Sequence, residues 1–210
     1  AGKKCEAFSK DAKIVIVNID DNELNKPTLR VDYPVKKDVK EVLIQLTKGI
    51  HKASLSDYTP WLKTCTEYKV PFPTVIPEYA RNPINSYYFM ERLEACSNEK
   101  NIFVNDAGSA NFIAGQTLRF DRGQREVISG AFASMGLAIP LAIGCSTVDP
   151  ELQILAVTGD GSVELNIQEL LTISHNECNV KVFILNNGGY ASIRDSQDEM
   201  LGGRYTDDSR

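Results

Sequence analysis

Apolar residues follow two distinct rhythms along this chain. The run from Ala12 to Asp20 (AKIVIVNID) is continuous and β-branched, as in a strand covered on both faces of a parallel sheet. After an Asn/Asp-rich turn, Lys37 to Gly49 places Val39, Val42, Leu43 and Leu46 at helical spacing. Together they read as the tail of a central Rossmann-like α/β domain over residues 1–50. From about His51 to Arg81, Pro60, Pro71, Pro73 and Pro77 surround one short helix near Trp61 to Tyr68, which predicts an interdomain linker over 51–82.

From Ile84 the pattern becomes regular. It predicts a helix over Ser86 to Ser97, a strand over Asn101 to Asp106, a helix after Gly108 and a small-residue segment from Ser129 to Ile143. A strand over Gln153 to Thr158, a helix over about Val163 to His175 and a strand over Val180 to Asn186 follow. Such alternation predicts βαβ units, hence an α/β domain over 83–210 whose doubly wound parallel sheet is flanked by helices. Periodicity fades after Ile193 and the end is polar. The chain opens on Ala1, in what reads as a helix end, so a fragment of a longer protein is expected.

Composition narrows the class. With 42% hydrophobic and 24% charged residues among 210, disordered and fibrous classes are excluded. A net charge of −5 leaves no electrostatic footprint for nucleic acid or an anionic membrane, and neither partner is expected. Cys5, Cys65, Cys96, Cys145 and Cys178 are widely spaced and form no C-x-x-C, which argues against a disulfide framework or thiolate zinc and for a reducing cytoplasm. Polar and glycine residues break the apolar stretch from Val127 to Ile143, so it predicts no membrane span.

Gly159-Asp160-Gly161-Ser162 lies where a strand meets the next helix, at the edge where open α/β sheets bind ligands. The glycines permit close backbone approach, and free amides of a helix's first turn suit phosphate. A carboxylate there would repel phosphate unless a cation lay between them, so the motif predicts a metal–phosphate pair. Asn187, in Asn186-Asn187-Gly188-Gly189, follows Asp160 by 27 residues. A helix of roughly 13 residues carries the chain about 20 Å away, and a strand of roughly seven returns it about 23 Å. Asp160 and Asn187 are therefore expected at the same sheet edge, where the carboxylate, an amide oxygen and the Gly189 carbonyl make a hard donor set for Mg²⁺ with a diphosphate.

These residues carry a family resemblance. GDGS at 159–162, the helix SVELNIQELLTI and the strand VFILNNGGY at 182–190 resemble the thiamine diphosphate (ThDP) motif of the acetolactate synthase and pyruvate oxidase superfamily. The resemblance implies Asp160, Asn187 and the Gly189 carbonyl as Mg²⁺ ligands, with backbone groups of Gly161 and Ser162 on the diphosphate. Tyr190 would pack over the diphosphate or close the sheet edge. The segment SGAFASMG at 129–136 is similar to the family's thiamine cup. It implies Met135 as the apolar residue under the bent cofactor, with the Ala133 carbonyl and the Met135 amide on the pyrimidine edge. NSYYFMERL at 85–93, NDAGSA at 105–110 and KIVIVNIDDNELNK at 13–26 extend the likeness to nearly the whole chain.

Two departures stand out: Ser109 and Ala110 occupy the place of a Gln-His pair common in acetolactate synthases, and the glycine-rich cup here carries Ala131 and Ala133. The resemblance implies decarboxylation of a 2-keto acid such as pyruvate with carboligation. Its alternatives are simple decarboxylation, oxidation or a noncatalytic assembly domain. It also implies a homodimer or homotetramer in which a neighbouring subunit's thiamine-binding domain supplies a catalytic Glu that nothing here matches. That leaves this chain half of a shared site, inactive alone, and leaves open whether FAD binds the central domain. A nicotinamide-binding module is disfavoured because no G-x-G-x-x-G follows either early strand. His51, His175, Glu126 and Glu164 read as surface or helix-end residues.

Overall fold

The computed structural model describes residues 5–51, 53 and 56–203. The chain divides into two compact units, Ala1–Tyr68 and Lys69–Arg210. In the first, β1 (Val15–Asn18) is followed by α1 (Asp21–Leu24), β2 (Tyr33–Lys36), α2 (Val39–Ile50) and α3 (Thr59–Tyr68). β1 and β2 pair in parallel, Val15 opposite Tyr33. Asp20 caps α1 through the Asn22 amide at 2.8 Å, and Asp38 caps α2 through the Lys40 amide at 2.7 Å. The strand expected over Ala12 to Asp20 shortens to the four residues that β2 can pair. β2 itself escaped the sequence reading because Pro34 interrupts its pattern.

The second unit runs α4 (Ser86–Ala95), β3 (Asn101–Asn105), α5 (Ser109–Thr117), β4 (Arg125–Ile128) and α6 (Ala138–Ser146). It continues through β5 (Gln153–Gly159), α7 (Asp160–Glu164), α8 (Glu169–His175), β6 (Val180–Leu185) and α9 (Ala191–Leu201). Its strands form one parallel sheet in the order β4-β3-β5-β6. Alternate residues of the strands feed opposite faces. Val157 packs with Met90, Ala110, Ile113 and Ala114 under α4 and α5. Val104, Ile154 and Ala156 pack with Ala138 and Ala142 of α6. Burying both faces explains the continuous apolar run in β5, and it makes the unit a doubly wound α/β domain.

Two expectations for this unit are corrected. The single helix over Val163 to His175 is two, α7 and α8, joined by a tight turn in which the Leu165, Asn166 and Glu169 amides donate to carbonyls three residues back. That break carries the Asn166 side chain to the Gly136 carbonyl, 2.8 Å away, which a continuous helix would not. The polar end after Ile193 is the helix α9, closed by Gly202 at φ 61°. Arg125–Ile128, to which the sequence pattern assigns no element, forms a strand of its own.

The order β4-β3-β5-β6 places a topological switch between β3 and β5, because the connection from β3 leads to one side and β5 lies on the other. The loops after these two strands diverge there and open a crevice.

Candidate functional site

At that crevice lies a cavity of about 550 Å³. Its walls come from the loop after β3 (Ala107 to Ala110), from Ala133 and Met135, and from Gly159 to Ser162. Leu185, Asn187, Tyr190 and one side of α9 complete it. The cavity thus collects Ala133, Met135, Gly159, Asp160, Gly161, Ser162, Asn187 and Tyr190 from three separate segments, and Gly189 adjoins them through Asp160.

Asp160 is the first residue of α7, and the loop after β6 folds over its carboxylate. Oδ2 accepts the amides of Asn187 at 3.0 Å and Gly189 at 2.8 Å, and Oδ1 accepts the Gly161 amide at 2.8 Å. Partial burial pushes the Asp160 carboxyl up, but the amides of Gly189, Gly161, Asn187 and Gly188 outweigh it and hold the group below its ordinary 3.8. Convergence of these amides requires three successive left-handed residues, Gly188 at φ 81°, Gly189 at φ 82° and Tyr190 at φ 48°. Two glycines meet that demand at little cost, whereas Tyr190 is held there as the residue entering α9.

The Tyr190 ring lies directly on Gly161. A Cβ at Gly161 would sit 2.7 to 3.0 Å from three ring carbons, so only glycine fits. The carbonyls of the same loop are also held, because the Arg194 guanidinium donates to those of Asn187 at 3.2 Å and Gly188 at 2.6 Å, and to that of Gly189.

The turn bearing Met135 is fastened by residues the sequence reading passed over. Asp106, buried just beyond β3, accepts the Gly136 amide at 3.0 Å and the Ala107 amide at 2.9 Å on Oδ1. Its Oδ2 accepts the Thr158 hydroxyl at 2.7 Å. Asn166 donates to the Gly136 carbonyl, so both the N–H and the C=O of this glycine are held. A Cβ at Gly136 would meet Leu165 Cβ at 2.8 Å. The sequence signals were a polar Thr158 closing an otherwise apolar strand and an Asp directly after the paired one. Ala133, which precedes this turn, is left-handed at φ 45°, a costly conformation for a residue bearing a Cβ.

One of the two departures from the family pattern, the pair Ser109 and Ala110, also finds its place. Both residues line the cavity; Ala110 is otherwise buried in the core, and Ser109 shares a hydrogen bond with Ser192 of α9 at 3.2 Å.

Three amides lie within hydrogen-bond distance of the Asp160 carboxylate, which as an anionic oxygen donor also suits a hard cation. Asn187 adds an exposed amide oxygen and Gly189 a carbonyl, all hard donors of the kind Mg²⁺ takes. Among the described residues no group of three or more His, Cys, Asp or Glu could hold a metal, so a cation here needs these neutral oxygens and a ligand's own. The donor set therefore fits a diphosphate-bound divalent ion. The Gly161 amide, already given to Asp160, is less free for a phosphate than its position suggested.

The fold and cleft define a doubly wound α/β domain with its ligand crevice at the sheet's switch point. Residues 106–210 match the family model of the thiamine pyrophosphate enzyme C-terminal TPP binding domain, and the chain belongs to that family. It is 30% identical over 92% of its length to the acetolactate synthase isozyme 1 large subunit of Escherichia coli K12. It is 30% identical over 96% of its length to the acetolactate synthase large subunit of Cyanidium caldarium, and 29% over 96% to that of Corynebacterium glutamicum. The chain spans 34%, 34% and 32% of these relatives, about a third of their length. No described helix is long and apolar enough to cross a membrane.

Proposed function

We propose that this chain carries the diphosphate- and Mg²⁺-binding half of a ThDP-dependent active site that decarboxylates a 2-keto acid such as pyruvate and transfers the acyl unit to a second carbonyl. The observation that carries the reading is the seating of the Asp160 carboxylate against the Asn187–Gly189 loop at the switch-point cavity. Asp160, the Asn187 amide oxygen and the Gly189 carbonyl would hold the metal, and the backbone at Gly161 and Ser162 would face the diphosphate. Bound ThDP would supply the electron sink that lets the keto acid lose CO₂.

This chain's residues bind, orient and exclude water. Asp106 and Asn166 fix the Gly136 peptide and so set the height of Met135, whose bulk would press the two rings of the cofactor together. The Ala133 carbonyl and Met135 amide would hold the pyrimidine edge. Tyr190, packed on Gly161, closes the diphosphate end of the cavity. Residues 51–82 would serve as the linker from a central domain, in which FAD is a separate question.

The proton relay through a Glu would come from a thiamine-binding domain of a neighbouring subunit in a cytoplasmic homodimer or homotetramer. Beside the cup, Phe132 is 92% exposed and Leu165 and Ile167 are each 54% exposed, an apolar rim suited to such a domain. Ser109 and buried Ala110 favour a second reading for the substrate, a simple decarboxylase or oxidase that lacks the Gln-His contact.

Calorimetry provides the test. Mg²⁺ and ThDP should bind the intact protein together and weakly apart, and Asp160→Ala should abolish the coupling. Diphosphate binding unchanged without Mg²⁺ would overturn the assignment. Product analysis with pyruvate separates carboligation from simple decarboxylation. This chain alone should turn over no substrate until the thiamine-binding domain is added in trans.

A further inference from the structure

The loop that seats Asp160 has a second side. Its amides converge on the carboxylate, and its carbonyls at Asn187, Gly188 and Gly189 turn to the Arg194 guanidinium one turn into α9. One planar cation therefore gathers three successive carbonyls, using the fork geometry that only arginine offers. One of the three, Gly189, is the carbonyl that the proposed metal site needs.

A carbonyl has two lone pairs, but a divalent ion and a guanidinium on the same oxygen lie close enough to repel strongly. We propose that Arg194 is a positioning residue that acts as the loop's own counter-cation and competes with the divalent metal for the Gly189 carbonyl. It holds the loop in shape through Asn187 and Gly188, and it must give up Gly189 when the metal and diphosphate bind. This inference rests on the reading of Asp160, Asn187 and Gly189 as a metal site. It sets the direction of one effect: removing Arg194 strengthens metal binding, whereas loss of a merely structural contact would weaken it.

The test uses Mn²⁺ with ThDP as the probe, followed by electron paramagnetic resonance on the intact protein, its Arg194→Met variant and its Asp160→Ala variant. Arg194→Met should bind Mn²⁺ about 10-fold more tightly, the scale of one charge-assisted hydrogen bond no longer displaced. Its thermal midpoint without metal should fall, and the rise on adding Mn²⁺ and ThDP should exceed that of the wild type. Arg194→Lys, which keeps the charge without the fork, should lie between the two. Mn²⁺ affinity unchanged or weakened in Arg194→Met, with Asp160→Ala abolishing binding, overturns the role of Arg194 and leaves the metal site standing. Mn²⁺ binding that survives Asp160→Ala overturns the metal site and this inference with it.

Discussion

Asp106 accepts the backbone amide of Gly136 from 30 residues away, at 3.0 Å, and so ties the end of β3 to the turn that presents Met135. The same carboxylate accepts the Thr158 hydroxyl at the end of β5, so one buried side chain fixes both strands of the switch point and the turn above them. Asp106→Ala leaves the Gly136 amide and the Thr158 hydroxyl without their partner. It should cost about 2–4 kcal/mol in urea denaturation, and Thr158→Val, which removes only a donor, less than about 1.5 kcal/mol. A loss below about 1 kcal/mol for Asp106→Ala would show that the turn is held by other contacts.

Met135 lines the cavity at that turn, and on the proposed reading it would hold the cofactor's shape and do no chemistry itself. In the intact protein, Met135→Ala should slow C2 proton exchange of ThDP by about 10-fold or more while ThDP affinity changes less than about threefold, because the diphosphate is anchored elsewhere. Equal losses in both would make Met135 ordinary core.

The contact of the Tyr190 ring with Gly161 makes a coupled pair. Gly161→Ala should weaken ThDP binding by about 10-fold or more, since the new methyl drives the ring out of place. Trimming the ring in the double variant Gly161→Ala/Tyr190→Ala should recover part of that loss. Additive effects of the two single changes in calorimetry would place the cause outside this contact.

The direction of the Asp160 shift fixes a pH window. Its carboxyl titrates below its ordinary 3.8 in the folded chain, so the stabilisation from its amide contacts is fully present above 3.8 and is lost as pH falls through the lower folded value. The stability gap between wild type and Asp160→Asn should stay constant from about pH 7 to 5 and shrink only below about pH 4. A gap that closes between about pH 5 and 7 would contradict the direction of the shift.

Ala133 pays for a left-handed backbone at φ 45° without the freedom of glycine. Ala133→Gly should raise stability by about 0.5–1 kcal/mol, the relief of strain less the added entropy of the unfolded chain. A decrease in the denaturation midpoint would mean that the methyl contributes packing that outweighs the strain.

The sequence made the meeting of Asp160 with the Asn187–Gly189 loop legible, because a carboxylate there conflicts with a plain glycine turn. An Asp in a glycine phosphate loop needs a cation, and counting rises along a helix and a strand brings Asn187 back to it. That count survived the break between α7 and α8, because both pieces still run away from the edge. What stayed hidden had no local conflict to betray it. Asp106 follows a strand as any polar residue might, and its partners lie 30 and 52 residues on. Asn166 sits within what periodicity reads as continuous helix. Arg194 lies on α9, where Ile193, Met200 and Leu201 are too sparse to mark a helical face, and its three carbonyl acceptors belong to a loop whose left-handed turns no spacing rule foretells.

The parallel pairing of β3 with β5 has a kinetic consequence. Residue 105 meets residue 157 only after about fifty intervening residues have been looped out, and Asp160 meets Gly189 across another 29. The contacts that join these segments across the crevice are long-range, so no isolated hairpin or helix can preassemble it, and closing such loops is slow. In refolding, helical signal should recover first, and the seating of Asp160 against its loop should emerge only with the final, cooperative phase.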